Sequence, residues 1–554
     1  MRGGIWITAT PPTPNGALHV GHMAGPYIAA DVLRRYLAAE ETAVLLTTGL
    51  DDHQSYVHLR AIREDRDGHE LADEYGERIL RAWSEADIVF DRIGQPRTDD
   101  GYGEFVRQAF LELYRAGVIV PRSRPLPYCS SCERWLYEAY LGGRCPECGA
   151  ICNGNACESC GRPNECADVV DPVCALCECT AENRQCERLF LPLAPFGERL
   201  TAFWSEVEMP PHMRALCEGM LADGLPEIAV SHPGEWGIPV PIDAFSAHKI
   251  YVWFEMALGY LLEQDPTGKP PTTGAVQFFG FDNGYFHALL MPAVSLAYSP
   301  AAPLPQAFIV NEFYQLEGEK FSTSRNHAVW ADQALEQAGA DVLRFHVLAD
   351  RPTGRQTSFS EAELTRSRQH LHRCWNGWLE RLFSAVERDC GGAAPSDRPQ
   401  GSGWSVLAKR LVGILHELRE AYSVASFDPR RAIALLDEVV ACAIDFGYVH
   451  AHERSRPEGE SSYRSALAAQ LAVAAALAAW SAPVLPTGAG RLSALLGLAA
   501  DRPVDVQALS APAPGTPLGA PDGPIFGAPL QEDSRRQDDT AIRHEDRGAT
   551  SGVH

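Results

Sequence analysis

The chain has 554 residues, 45% of them apolar and 22% charged, and a formal net charge of −24. That length buries several cores, so three or four domains are expected, and the acidic balance argues against broad, non-specific attraction to nucleic acid, which rests on Lys and Arg neutralising phosphates. No apolar run reaches the roughly 18–20 residues of a membrane span: the nearest, Ala466 to Ala482, contains Gln470 and reads as a buried helix. With the first strand beginning at once, no signal peptide is expected, and the expected location is cytoplasmic with no membrane partner.

The first informative stretch runs from residue 4 to 37. Gly4-Ile5-Trp6-Ile7-Thr8 is short, apolar and β-branched, Pro11 to Gly16 is turn chemistry, and Val20, Met23, Ile28, Val32, Leu33, Tyr36 and Leu37 recur at helical spacing. Strand, turn and helix follow in that order. A helix starting just after a strand offers unpaired backbone N–H groups and the positive end of its dipole to a nucleotide phosphate. His19 and His22, three apart, share one face and can bond polyphosphate oxygens, and Gly21 between them admits a flat base to the backbone.

Further strands are expected at Ala43–Thr48, Val276–Gly280 and Gln306–Val310, each a short apolar run leading into polar residues. In a parallel sheet ligands sit beyond the carboxyl ends of the strands, where Asp51, Asp52, His53, Asp282 and His287 fall.

Twelve of the 16 cysteines lie between Cys129 and Cys186, a clustering that in a cytosolic chain reads as metal and not disulfide. Four Cys-x-x-Cys pairs, Cys129/Cys132, Cys145/Cys148, Cys157/Cys160 and Cys174/Cys177, can each give a tetrahedral Zn²⁺ two thiolates, enough for two metals. Four knuckles can be matched in three ways, which spacing leaves open. Gly149 and Gly161, just past the second thiolate of the inner pairs, suit the knuckle turn. With no open ligand position and no adjacent general base, the sites read as structural. Alanine- and leucine-rich segments from Ser360 to about Leu498 read as an α-bundle, and residues 501–554, rich in proline, glycine and charge, as mostly disordered.

Residues 5–22 resemble the signature of class I aminoacyl-tRNA synthetases. Lys249-Ile250-Tyr251-Val252-Trp253-Phe254-Glu255, Gly259-Tyr260, Phe279-Gly280-Phe281-Asp282-Asn283-Gly284-Tyr285-Phe286-His287 and Lys320-Phe321-Ser322-Thr323-Ser324 are similar, in the same order, to blocks of the methionyl branch. The resemblance covers about residues 4–455. It implies an α/β fold: a Rossmann-type parallel-sheet catalytic domain in two halves (1–115 and 245–325), interrupted by a connective insertion (116–244) with zinc knuckles at about 129–186. A linking segment (326–365) and a helical anticodon-binding-like domain (366–500) follow, then the tail (501–554).

The implied activity is activation of methionine by ATP with Mg²⁺ and transfer to tRNA, the alternative being a paralogue that adenylates an amino acid for a non-tRNA acceptor. By resemblance His19, His22 and Lys320 are catalytic, and Asn15, Gly21, Ser322 and Ser324 join them around ATP. Asp51 or Asp52 holds the substrate ammonium; Pro11, Thr13, Trp253, Tyr260 and His287 line the amino-acid pocket. One or two structural zinc ions are implied, the inner pairs sharing one and the outer pairs the other.

Three departures accompany the matches. Pro11 and Thr13 stand where methionyl enzymes usually place leucine and tyrosine. Thr323 replaces the second lysine of the Lys320 loop, with Arg325 as its potential substitute. Glu458 follows Pro457 where an anticodon-stacking tryptophan is expected, leaving Asn376 and Trp378 as substitutes, although burial in the bundle is the expected role of Trp378. A tRNA would be met by Arg366, Arg368 and Arg373, or by Arg430 and Arg431.

Overall fold

The computed structural model describes residues 4–263, 274–321, 328–456 and 459–527. Five strands form the central sheet: β1 (Ile5–Ala9), β2 (Val44–Gly49), β3 (Arg92–Gly94), β4 (Val276–Gly280) and β5 (Ala307–Asn311). Their order is β5-β4-β1-β2-β3 and every pairing is parallel. β4 lies where the sequence puts it; β1, β2 and β5 begin one residue later than expected.

Both faces of this sheet are covered, which is why its strands are continuously apolar and not alternating. Ile7, Ala9, Leu46, Val276 and Phe278 point into one core, while Trp6, Phe279, Phe308 and Val310 point into the other. The chain steps from β1 to β2 on one side, and β4 flanks β1 on the other. The order therefore reverses between β1 and β4, the place where parallel α/β sheets bind ligands.

Between helix Tyr102–Arg115 and β4 the chain makes its insertion. Two long strands, Val120–Cys129 and Glu182–Pro192, pair antiparallel along their length and carry the cysteine knuckles beyond their ends. The core of the knuckle region is small and thiol-rich: buried Cys129, Cys145, Cys157, Cys166 and Cys174 pack with Leu136, Tyr140 and Leu141.

The C-terminal half is helical, with long members Gly401–Tyr422, Pro429–His450 and Glu460–Trp480. Glu460–Trp480 is buried from Ser465 onward except at Gln470, as its alanine-rich composition predicts. Among the described residues no helix is long and apolar enough to cross a membrane.

One expectation fails here. Disorder does not begin at residue 501, because residues 501–527 fold back onto the bundle. Val504, Ala508, Ile525 and Phe526 are buried, and Asn376 Oδ1 accepts the amides of Ile525 and Phe526, each at 2.9 Å, while its Nδ2 donates to the Phe526 carbonyl. Composition misleads because few apolar residues suffice when a strap needs to fill only a groove. Residues 528–554 lie outside the described residues.

The part of the chain around the central sheet and the helical C-terminal half meet at a buried ion pair. Arg344 Nη2 donates to Asp31 Oδ2 at 2.7 Å with both side chains fully buried. The other guanidinium nitrogens reach the carbonyls of Val484 and Ala86, and Asp31 also accepts from Arg35 and from the Val89 amide. Arg344→Met removes the fully buried one of Asp31's two guanidinium partners, leaving Arg35 and the Val89 amide, and is expected to lower unfolding free energy by roughly 1.5–3 kcal/mol, read from urea denaturation. The double variant with Asp31→Leu should recover most of that loss.

Candidate active site

The loop leaving β1 delivers two histidines to the switch point. Helical structure begins at Val20, opens into a wider turn over Met23–Tyr27, and resumes from Ile28 to Ala39. Gly25 is non-helical (φ −76°, ψ −113°) immediately before Pro26, whose missing N–H breaks the ladder. The periodicity of residues 20–37 thus marks a helix, as expected, with a kink at Gly25.

His22 Nδ1 accepts the backbone N–H of His19 at 3.1 Å. In the neutral ring this leaves the proton on Nε2. Burial pushes the His22 imidazolium down to a pKa of about 4, so near pH 7 it acts as a neutral N–H donor. The His19 ring stacks on His22 (centroids 3.7 Å) and on Phe321 (4.4 Å, 5° between planes). The face at Gly21, expected to admit a base, is occupied by these rings: a Cβ there would sit 2.9 Å from the His19 ring and 3.2 Å from Phe321.

A cavity of about 420 Å³ opens over this motif. Asn15, His19, Gly21, His22, Thr13 and Asp51 line it together, as does Trp253 from the helix Val252–Glu263. Its opposite wall comes from the insertion, through Glu138, Asn153, Asn155 and Glu158. Asn155 is fixed on three sides: its Oδ1 accepts from the Glu138 amide and the Cys166 thiol, and its Nδ2 lies 3.1 Å from His232 Nε2. Sequence reasoning missed these wall residues, because the chain gives no sign that a knuckle will face the sheet.

Behind Asp51 lies a smaller cavity of about 40 Å³ walled by Pro11, Asp51, Asp52, Glu255, Met256 and Tyr260. The two adjacent aspartates separate here. Asp52 accepts the Arg97 amide at 3.3 Å and stands 3.6 Å from the Arg97 guanidinium. Asp51 lines both cavities and accepts from Gln54 Nε2 at 3.2 Å and from the Thr13 hydroxyl at 3.5 Å. Burial, then the nearby Glu255 charge, holds the Asp51 pKa well above the usual carboxylate range.

His287 lines neither cavity. It is fully buried, stacked on Phe279 at 4.0 Å, with Nδ1 donating to Gln277 Oε1 and Nε2 3.0 Å from the Thr10 hydroxyl. Burial lowers its pKa to about 3, so it braces the Thr10–Pro11 loop as a neutral ring. Tyr260 lies edge-on to it, 6.1 Å away. Lys320 ends the short strand Glu319–Lys320; its side chain, and Ser322, Thr323, Ser324 and Arg325, lie outside the described residues, as does Glu458.

The eight knuckle cysteines form two groups, Cys129/Cys132/Cys174/Cys177 and Cys145/Cys148/Cys157/Cys160, with the ligand atoms of each within 4.8 Å of one another. Of the three possible pairings, the fold makes the inner-with-inner and outer-with-outer one. Sulfur separations of 3.4 Å (Cys129–Cys177), 3.6 Å (Cys148–Cys157) and 3.9 Å (Cys145–Cys160, Cys132–Cys174) bracket the ~3.8 Å expected of thiolates around one tetrahedral Zn²⁺. Gly149 and Gly161 each have φ +71°, the left-handed turn that brings the second thiolate round.

In the bundle, the substitutes for the missing tryptophan are not available to a base. Asn376 and Trp378 are 1% and 2% exposed; Asn376 holds the C-terminal strap and Trp378 Nε1 donates to Gln470. Arg366 is paired with Glu363, and Arg431 with Glu417.

The family model for "tRNA synthetases class I (M)" matches residues 5–382. The chain belongs to this family. Among similar proteins, the methionine–tRNA ligase of Dehalococcoides mccartyi is 30% identical over 562 residues, covering 98% of this chain and 99% of that protein. That of Pyrococcus furiosus is 32% identical over 416 residues, 70% of this chain and 57% of that protein. In fold, the chain matches Mycobacterium tuberculosis methionyl-tRNA synthetase bound to methionyl-adenylate with a TM-score of 0.78 at 21% identity, covering 94% of this chain and 100% of that one.

Because Gly21 has no room for a methyl group, Gly21→Ala should displace the His19 ring and slow amino-acid-dependent ATP–pyrophosphate exchange by about 100-fold. Its melting temperature should change little.

Proposed function

We propose that the chain is a methionine–tRNA ligase: it joins methionine to ATP as methionyl-adenylate and passes the methionyl group to tRNA. The observation that carries this reading is an end-to-end relative of that activity combined with a site in which the His19/His22 motif and a buried carboxylate, Asp51, face one cavity. The methionine carboxylate attacks the α-phosphate and the bond to pyrophosphate breaks, so no protein nucleophile is required. Catalysis is positioning and charge stabilisation.

His22 Nε2–H and the His19 ring bond the polyphosphate oxygens, while Asn15, Gly21 and the Lys320–Ser324 loop complete the ATP site. Asp51 takes the substrate ammonium and Asp52 positions Arg97. Pro11, Thr13, Trp253 and Tyr260 shape the side-chain pocket, with His287 acting from behind Thr10. ATP enters with Mg²⁺. Residues 1–115 and 245–325 make up the catalytic domain, and the bundle at 366–500 meets tRNA. The two four-cysteine groups hold structural zinc, and the cytoplasm is the place of action. The alternative of a non-tRNA acceptor rests only on the departures at Pro11, Thr13, Thr323 and Glu458, and the relatives lend it no support.

The test is charging of tRNA with labelled methionine and ATP. Wild type should esterify methionine to tRNA, and His22→Ala should fall by roughly 10²–10³-fold, as when one transition-state hydrogen-bond donor is removed. A folded wild type that charges nothing would refute the reading. Metal analysis should return two zinc ions per chain, with the eight knuckle thiols shielded from alkylation until a chelator is added; one zinc and four reactive knuckle thiols would overturn the two-site assignment.

A further inference from the structure

The smaller cavity holds a carboxylate that the proposed mechanism leaves idle. Glu255, on the helix Val252–Glu263, is 2% exposed. One carboxylate oxygen, Oε1, lies 2.7 Å from His53 Nδ1. The other, Oε2, is buried with no hydrogen-bond partner. A buried carboxylate oxygen left unmatched is costly, and Glu255 lines the same cavity as Asp51.

The charges around this cavity give the chemistry of what fits. Asp51, Asp52, Asp99 and Glu255 contribute four carboxylates to its lining and Arg92 one guanidinium; His53 and Arg97 offset two more, through the His53–Glu255 and Arg97–Asp52 contacts. One negative charge is left over, which a single ammonium neutralises. A second carboxylate oxygen also suits an ammonium, which has three N–H donors to place.

We propose that Glu255 is a second ligand of the substrate ammonium, accepting an N–H through Oε2 while His53 holds Oε1, so that Asp51 and Glu255 grip the α-amino group from two sides. This inference rests on the proposed amino-acid activation and deepens it.

The electrostatics give the role a pH signature. Burial, and next the Glu255 charge, raise the Asp51 pKa. Glu138 and Asp52 add smaller upward pushes, and the Gln54 hydrogen bond lowers it. His53 is itself held above its ordinary pKa: burial opposes its charge, but Glu255, Asp52 and Asp51 favour it more. Asp51 must be ionised to bind an ammonium, so the KM for amino acid rises as pH falls through the Asp51 pKa. Removing the Glu255 charge lowers that pKa and moves the rise to lower pH.

The experiment is methionine-dependent pyrophosphate exchange by the full chain across pH 6–9, comparing wild type with Glu255→Gln and Glu255→Asp. Two inhibitors are added: methioninol, which keeps the ammonium, and 4-(methylthio)butanoate, which lacks it. Glu255→Gln should raise the KM for methionine and the Ki of methioninol about tenfold or more, the loss of one charge-assisted hydrogen bond. It should leave the KM for ATP and the Ki of 4-(methylthio)butanoate within about twofold, and shift the KM rise to lower pH.

Glu255→Asp, which keeps the charge but withdraws it by one methylene, should show the same selective loss without the pH shift, and stands in if the Gln variant does not fold. Equal weakening of both inhibitors, or no change in either, overturns the inference while a wild type active with methionine leaves the function intact. A wild type without methionine-dependent exchange removes both.

Discussion

The Asp31–Arg344 pair is the joint on which the rest of the architecture hangs. Asp31 sits on the helix that follows the histidine motif, and Arg344 on the helix Ala340–Ala349 that leads into the bundle. Two charges buried without solvent gain little net stability, since desolvation offsets much of their attraction. What this pair provides is registration. Arg344 also holds the carbonyls of Pro483 and Val484, so the end of Glu460–Trp480 and the start of the catalytic helix are set against each other by one planar group. The helix that follows the histidine motif is therefore placed by a contact made far along the chain.

Within the site, the same physical variable, burial, shifts pKa values in opposite directions at its two ends. At the histidine end it keeps His22 neutral and so fixes which nitrogen carries its proton. At the carboxylate end it disfavours the ionised form of Asp51, with the Glu255 charge adding to the push, so that a cation brought there is worth more than in solvent. The Thr10–Pro11 loop joins the two ends, braced from behind by His287, which explains how a ring outside both cavities still bears on the shape of the amino-acid pocket.

Much of this was legible in the chain. The strands were, because a sheet covered on both faces must be written in unbroken apolar runs; so were the histidine motif and the eight thiolates, whose residue types have few other uses at those spacings. Other features depend on contacts between segments remote in sequence. Which knuckles come together follows from the hairpin of Val120–Cys129 with Glu182–Pro192, which no local spacing encodes. Asp51 and Asp52 are equivalent on paper and are distinguished by the approach of Arg97 to one and of Gln54 and Thr13 to the other. Asn376 reads as a polar residue free to meet a base, yet the partner that claims it lies 150 residues away.

That last contact has a consequence for the order of synthesis. Chains emerge N-terminus first at about 5–20 residues per second, and Ile525 follows Asn376 by 149 residues. For roughly 7–30 seconds the buried amide of Asn376, the ring of Trp375 that Phe526 covers and the Asp341 carboxylate that accepts the Gly527 amide all wait without their partners. The groove that this strap fills stays open until residues 525–527 have been made. A nascent chain stalled before residue 525 therefore presents an open, partly apolar groove where the finished protein has a core.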